Sequence, residues 1–332
     1  MTDRGTMGVG RPRRKDTSTM DVIASAPSAP TPVTPRRPTI PAAAAQPILD
    51  LLTGPLRPAS VLAAHSAAVT LAVDTGDHTR VVTVLTVQAS GVPNGLRTAL
   101  HAADRPFAHL HPGDAAFVGA GRTELPGLRL AVVRTVRTAV PVVRPSPAAV
   151  AAITAAARGA ARGLADAPVD ALRAALAAGT PAELRRAVSA LVGLGSGSTP
   201  GGDDVLCGAL AGLYAGGRSA LVQQVSVAAL DQLAQRTTLV SADLLRLAAA
   251  GHACAEATAV LLAAGRTADA ALHRALTGLL AVGHTSGADL TTGLAVGLGV
   301  PAQPPPRPPR NRPRFDVRTT PSRTTDEEYT GR

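Results

Sequence analysis

The sequence predicts an α+β protein: a small β-rich N-terminal domain, then a larger all-helical domain, with disordered basic and Pro-rich tails. Three observations carry this expectation. β-branched residues dominate short runs between about residues 60 and 143. From Pro147 onward the apolar residues recur at helical spacing. Both ends are rich in Pro and Arg and too poor in apolar residues to bury a core. The expected divisions are a tail over 1–45, a β-rich domain over 50–145, a helical domain over 146–300 and a tail over 301–332.

In the β-rich part, Ala68 to Val73 alternates and Asp74-Thr75-Gly76-Asp77 makes a turn. Arg80 to Val87 then returns, which reads as a hairpin. Ala115 to Val118 and Leu128 to Val136 read as two further strands. Pro93-Asn94-Gly95 is a turn signal between them, and one helix is expected near 96–103.

In the helical part, 147–165 is mostly alanine, with Arg158 and Arg162 four residues apart. Thr180-Pro181-Ala182-Glu183 is a helix start, because Thr caps, Pro needs no N–H in the first turn and Glu183 reaches back. That helix runs to about Leu191. Further helices are expected over 204–214, 219–235, 239–250, 252–264, 267–281 and 288–298, with Gly251 and Gly265 as stops.

Composition excludes several classes. The formal charge is +10, yet residues 1–45 hold seven Lys/Arg against three Asp, and 301–332 hold seven Arg against four acids. The remainder carries only about +3, so the charge belongs mostly to the tails and argues against a nucleic-acid binder; nor do aromatics interleave with basic residues. Aromatics make up 2% of the chain, so Ala, Leu and Val must build the core. Two cysteines, Cys207 and Cys254, show no metal-ligand spacing and fit a reducing compartment. No apolar run is long enough to span a membrane, and the N-terminus lacks the apolar stretch of a signal peptide, which makes the cytoplasm the expected location. Met7 and Met20 are alternative starts to Met1.

The most informative stretch is Gly193-Leu-Gly-Ser-Gly-Ser-Thr-Pro-Gly-Gly-Asp-Asp204, followed by an apolar helix. A glycine-rich turn opening a helix gathers free N–H groups at the positive end of the helix dipole, a place to hold an anion. Asp203 and Asp204 would repel an anion unless they bind a cation or accept from substrate N–H groups. The pair of features points to a small polar substrate with both donors and acceptors.

A second helix start repeats the pattern. Gly202, Asp204, Gly208, Gly212 and Leu213 match Gly287, Asp289, Gly293, Gly297 and Leu298, both obeying G-x-D-x3-G-x3-G-L. Glycines four apart share a helical face and admit another backbone. The two helices are therefore expected to pack tightly and bring Asp204 and Asp289 to one site; chance spacing in an Ala/Gly/Leu-rich chain is the plainer alternative. A third cluster, Arg236-Thr237-Thr238 with Ser241 and Asp243, reads either as a helix cap at Thr238 or as an anion grip by Arg236.

Taken together, the segments 193–204, 236–241 and Gly283-His-Thr-Ser-Gly-Ala-Asp289 resemble the AllH-type subunit family of oxamate carbamoyltransferase, formerly a domain of unknown function. The resemblance spans roughly residues 60–300 and includes the Pro93-Asn94-Gly95 turn. It implies a subunit that works with two partner subunits in interconverting oxalurate plus phosphate with oxamate plus carbamoyl phosphate, within allantoin and purine catabolism. It also implies a small anionic substrate. Family members occur outside that pathway, so the substrate itself is not carried over.

On this reading Asp203, Asp204, His284 and Asp289 are the catalytic candidates. Gly195, Gly197, Ser198, Thr199, Gly201, Gly202, Arg236, Thr237, Ser241, Thr285, Ser286, Gly287 and Asn94 are the substrate- and anion-binding candidates. Backbone N–H groups over 195–202 would cradle phosphate or stabilise an oxyanion. Asp204 and Asp289 would accept from amide NH2 groups or, with Asp203, bind Mg2+ through oxygen. His284 is an acid or base candidate, or a surface histidine. Cys207, one turn into an apolar helix, reads as core. Two other functions compete. One is a non-catalytic anion-binding or assembly subunit. The other is a small-molecule phosphotransferase, since Gly195-Ser196-Gly197-Ser198 is similar to the phosphate loop of galactokinase-type kinases. Against that reading, the only lysine is Lys15 and no G-x-x-x-x-G-K-[ST] loop exists.

Overall fold

Eight strands close into a barrel ahead of the helices, in a computed structural model that describes residues 39–266 and 269–301. The strands are β1 (Thr39–Ala45), β2 (Arg57–Ala64), β3 (Ala68–Asp74), β4 (Thr79–Leu85), β5 (Gly95–Thr98), β6 (Ala115–Gly119), β7 (Arg122–Leu125) and β8 (Leu128–Val136). A short helix α1 (Leu49–Thr53) follows β1. Around the barrel the order is β1-β5-β4-β3-β2-β6-β7-β8, and β8 returns to β1. The β1–β8 and β4–β5 pairs are parallel and the others antiparallel. The interior is filled by Val69, Leu71, Val73, Val82, Leu96 and Leu130, with Ile48, Leu52 and Phe107 buried among them. A closed barrel leaves no unpaired sheet edge.

This corrects the expected fold class, a β-rich domain in which four strands were expected and a closed barrel was not stated. The hairpin over 68–87 forms as β3 and β4, paired from Ala68↔Leu85 to Asp74↔Thr79. The strands β6 and β8 also lie where the pattern places them. The expected helix near 96–103 does not form; Gly95–Thr98 is β5, wedged between β1 and β4. Residues 39–45, assigned to the first tail, are β1, and its pairing with β8 completes the barrel. An alanine run has no alternation to announce a strand. Its ladder partners, Leu96–Thr98 and Arg129–Val136, lie far along the chain, so no local signal exists. The rest of the expected tails, residues 1–38 and 302–332, lies outside the described residues.

The helices are α2 (Pro147–Gly159), α3 (Asp166–Ala178), α4 (Pro181–Leu191), α5 (Gly201–Ala215), α6 (Ser219–Leu230), α7 (Leu233–Arg236), α8 (Leu239–Ala249), α9 (Ala255–Ala264), α10 (Asp269–Leu280) and α11 (Ser286–Leu298). The Thr180 capping box is complete: Thr180 accepts from the Glu183 N–H, and the Glu183 carboxylate accepts from the Thr180 N–H at 2.8 Å. α3 falls where no helix was expected. Pro168 sits in its first turn, where a missing N–H costs nothing, and Val169, Leu172 and Leu176 form its buried face.

α5 and α11 run side by side through the middle of the helical layer, buried along almost their whole length. Their glycine faces meet backbone to backbone. A methyl group placed on Gly208 would lie 2.2 Å from the Leu290 carbonyl oxygen, and one on Gly297 would lie 2.3 Å from that of Ala209. Gly208 faces Gly293 and Gly212 faces Gly297. The offset stays constant along the contact, so the helices are parallel and the two copies of the repeated pattern pair in register. Both N-termini therefore open at the same end, which concentrates two positive helix ends in one place.

Three connections tie the barrel to the helices. On α8, the buried Asp243 carboxylate accepts from Asn94 Nδ2 at 3.2 Å and from Arg80 Nε at 3.3 Å. The Gly91 N–H donates to the Glu256 carboxylate at the start of α9, and the Ala255 N–H donates back to the Gly91 carbonyl at 2.9 Å. After the barrel, the Thr138 carbonyl accepts from the Ala253 N–H at 3.0 Å. The loop 86–94 is thereby held against the helical layer.

Candidate functional site

The loop between α4 and α5 is shaped by three glycines in the left-handed region, with φ of 72° at Gly193, 114° at Gly195 and 93° at Gly197. Within the loop the Gly193 N–H donates to the Asp203 carboxylate and the Leu194 N–H to the Leu191 carbonyl, and at the start of α5 the Gly202 N–H donates to the Leu194 carbonyl. The Asp203 and Asp204 N–H groups both donate to the Pro200 carbonyl, closing the first turn of α5. Gly202 packs so closely that a Cβ would lie 2.1 Å from the Leu191 carbonyl oxygen, and Gly287 meets the Leu279 carbonyl at the same distance.

The two neighbouring aspartates have different surroundings. Asp203 turns inward and is saturated. One oxygen accepts from the Gly193 N–H at 2.9 Å, and the other from the hydroxyls of Ser241, at 2.7 Å, and Thr237. It joins the glycine loop to the start of α8. Thr238 adds to this clamp, capping α8 through the Ser241 N–H and donating to the Ser198 carbonyl at 2.6 Å. Thr237 and Ser241 thus serve Asp203 rather than facing open space.

Asp204 faces a cavity of about 520 Å³ between the 83–93 stretch of the barrel and the helical layer. Its residue exposure is 6%, and Oδ2 has no hydrogen-bond partner. Burial is the main force holding its carboxyl up at about 7, and the negative charges of Asp289 and Asp203 add to it; the hydroxyls of Ser286 and Thr199 work the other way. Those hydroxyls lie 3.2 Å from each other and bridge the starts of α11 and α5. Ser198, Thr199 and Ser286 line the cavity with Asp204.

Asp289 occupies the matching place on α11 but different surroundings. It is fully buried, and its Oδ2 accepts from the Gly163 N–H at 3.3 Å in the segment between α2 and α3. A Cβ on Gly201 would lie 2.8 Å from that oxygen, while Oδ1 has no partner. Burial pushes its carboxyl up as well, opposed by the Gly163 N–H, the Thr285 hydroxyl and the Arg162 charge. Asp289 is not among the cavity-lining residues, so the two helix starts adjoin while their carboxylates serve separate surroundings.

Other expected groups lie elsewhere. The Arg236 guanidinium is exposed and donates to Gln232 Oε1 at 3.0 Å, one turn back along the chain. His284 is exposed and does not line the cavity. Asn94 is buried on Asp243, as part of the joint between barrel and helices. Among the described residues, no group of three or more His, Cys, Asp or Glu side chains is placed to hold a metal ion. With Asp203 saturated by its own donors, the three aspartates do not form a Mg2+ ligand set.

Four features escaped the sequence reading. His252 lines the cavity, with Nδ1 3.0 Å from the Thr138 hydroxyl, and burial pushes its pKa down, which favours the neutral ring. Cys254 lines the same cavity as Cys207, and burial raises both thiols, Cys254 to about 12, so neither is a thiolate at neutral pH. Gly163 supplies the amide on Asp289. None of these carries a motif; only chain packing brings them in. Asp243, beside Thr238 in the sequence, is the joint to the barrel, through Arg80 and Asn94.

Among the described residues, no helix is long and apolar enough to cross a membrane. No curated protein and no solved structure matches the chain. A family model does match, over less of the chain than the resemblance suggested, since it leaves out the barrel and Asn94. Residues 191–298, which carry all three motifs of the site, match the family described as oxamate carbamoyltransferase subunit AllH.

Proposed function

We propose that this chain is a subunit of a carbamoyltransferase-like complex and binds a small amide or carboxylate, of the oxamate or oxalurate kind, at the paired starts of α5 and α11. The observation that supports the reading is that Asp204 lines the cavity and carries a buried Oδ2 with no hydrogen-bond partner. A buried polar atom without a partner costs about 1–3 kcal/mol, a penalty that a ligand donor would remove. Protonated, Asp204 donates to a carbonyl; ionised, it accepts from an amide N–H. Both modes suit a carbamoyl or oxamate NH2–C=O group.

The N–H groups of residues 195–199 and 201 are not among those spent on the chain's own carbonyls. With two helix N-termini behind them, they suit the phosphate of carbamoyl phosphate or the charge that develops on a carbamoyl oxygen. Ser198, Thr199 and Ser286 would orient the amide. His252, neutral and anchored through Nδ1, would exchange a proton with the transferring nitrogen. Asp203 holds the loop in shape for this. Asp289 would act through the position of α5 rather than by touching the ligand.

A second reading, a binding or assembly subunit without its own chemistry, is favoured by the places of Arg236 and His284 outside the cavity. One assay separates the two. Carbamoyl transfer between oxalurate and phosphate is measured with the purified chain, with the products of neighbouring genes, and with both. Turnover only in the mixture, lost with Asp204→Ala in this chain, is the expected result. Turnover by the neighbours alone at the full rate would overturn the proposal.

A further inference from the structure

We propose that the cavity receives a ligand with a primary amide or carbamoyl head and an aliphatic body, rather than a substrate as small as oxamate alone. The inference rests on the reading above that this cavity is the ligand site. Oxamate has six heavy atoms and displaces about four waters, or about 120 Å³. The cavity holds about 520 Å³. Beyond the polar end at Ser198, Thr199, Asp204 and Ser286, its walls are mostly apolar, with Leu85 and Val92 from the barrel side and Ala211, Leu244, Cys254 and Leu290 from the helices; Thr83, Gln88, Ser90 and His252 are the polar side chains among them. A wholly polar ligand filling the cavity would leave many of its donors and acceptors against apolar wall.

The charge on the walls points the same way. Among the lining residues Asp204 is the one carboxyl, and no Lys or Arg joins it. A head with its own full negative charge would face Asp204 with only amides and helix ends to balance it. A neutral amide meets a carboxyl with complementary donor and acceptor on each side. The body of the ligand would then run away from the helix starts, between α5 and the loop 86–94, where both cysteines lie.

The test uses the full-length chain and calorimetric titration at pH 7 with acetamide, butanamide, hexanamide, hexanoate, oxamate and carbamoyl phosphate. The expected result is tightening of about two- to fourfold per methylene along the amides, with hexanoate weaker than hexanamide. Hexanamide binding should be lost in Asp204→Leu. A second readout is Leu244→Ala, which cuts back the apolar wall: it should weaken hexanamide several-fold and leave acetamide unchanged. Oxamate or carbamoyl phosphate binding without any gain along the amide series would overturn this inference and leave the proposed function standing. No binding by any of the six would overturn both. Hexanamide binding that Leu244→Ala leaves unchanged would place the ligand elsewhere and also overturn it.

Discussion

Gly293 lies so close to Val205 that a methyl group on its α-carbon would sit 2.0 Å from the Val205 carbonyl oxygen. The equivalent contact, Gly208 against Leu290, leaves 2.2 Å. No rotamer relieves a clash between a Cβ and a backbone, so the helices must separate or one must shift. Because α5 and α11 carry Asp204 and Asp289 on their first turns, this spacing sets the geometry of the site.

Gly293→Ala should therefore destabilise the protein by about 2–4 kcal/mol, beyond ordinary overpacking of a core. Gly278→Ala is the control. That glycine is exposed in α10 with nothing near its would-be Cβ, and alanine should add about 0.5–1 kcal/mol through helix propensity. Urea unfolding of both variants checks the contrast. A neutral Gly293→Ala would show that the helices are not held by glycine contact.

The pH dependence of stability should fall in one direction. Folded Asp204 holds its proton up to about 7 against an unfolded value of 3.8. Between those values the native state binds more protons than the unfolded state, so stability declines as pH rises from about 4 to about 7. Asp289 and Asp243 are raised in the same sense. Asp204→Asn should flatten part of that slope and be more stable than the parent at pH 8. Thermal unfolding across pH 4–8 measures this; an unchanged slope would mean that the Asp204 carboxyl does not titrate as its burial dictates.

Anion affinity follows from the same proton. Oxamate or carbamoyl phosphate should bind more weakly as pH rises through about 7, because ionised Asp204 repels them. Calorimetric titration at pH 6 and pH 8 should differ by several-fold in the parent and converge in Asp204→Asn. Tighter binding at pH 8 would contradict the assignment of Asp204 to the ligand.

Asp203 and Asp204, though adjacent, should separate cleanly on mutation. Asp203→Ala strands the Gly193 amide and the hydroxyls of Thr237 and Ser241, and should cost about 2–4 kcal/mol of stability. Asp204→Ala removes a carboxyl whose Oδ2 has no partner; it should leave the helical circular dichroism intact while abolishing ligand binding. Equal stability losses in the two variants would move Asp204 from the site to the scaffold.

The joint between barrel and helices depends on Asp243. Its loss leaves Arg80 with the Pro47 carbonyl and the exposed Asp50 carboxylate and strands the buried Asn94 amide, at a cost of about 1–3 kcal/mol. Asp243→Ala should lower the unfolding midpoint accordingly. Asp243→Asn, which keeps the shape and the contact with Asn94, should recover part of the loss.

The helix starts were legible because capping and glycine spacing are local chemistry. Thr180, Thr238 and the repeated pattern at Asp204 and Asp289 each announce an end or a face within a few residues. The pairing of α5 with α11 was legible because one pattern occurs twice. The closure of the barrel was not: β1 is a run of alanines whose neighbours, β5 and β8, are chosen by tertiary pairing. Nor could spacing tell that Arg236 bonds back to Gln232, that Asp203 is saturated, or that His252 and Cys254 reach the cavity.

By itself, then, the chain's order of residues determined where helices begin, which helix faces admit another backbone, and which segments carry the site's polar groups. Those properties depend on contacts within one or two turns. Which carboxyl meets empty space, which is satisfied, and what walls stand around it were decided only by the tertiary structure. Burial and hydrogen-bond saturation are set by segments far apart in the chain: Gly163 on Asp289, Ser241 on Asp203, and the barrel loop over Asp204.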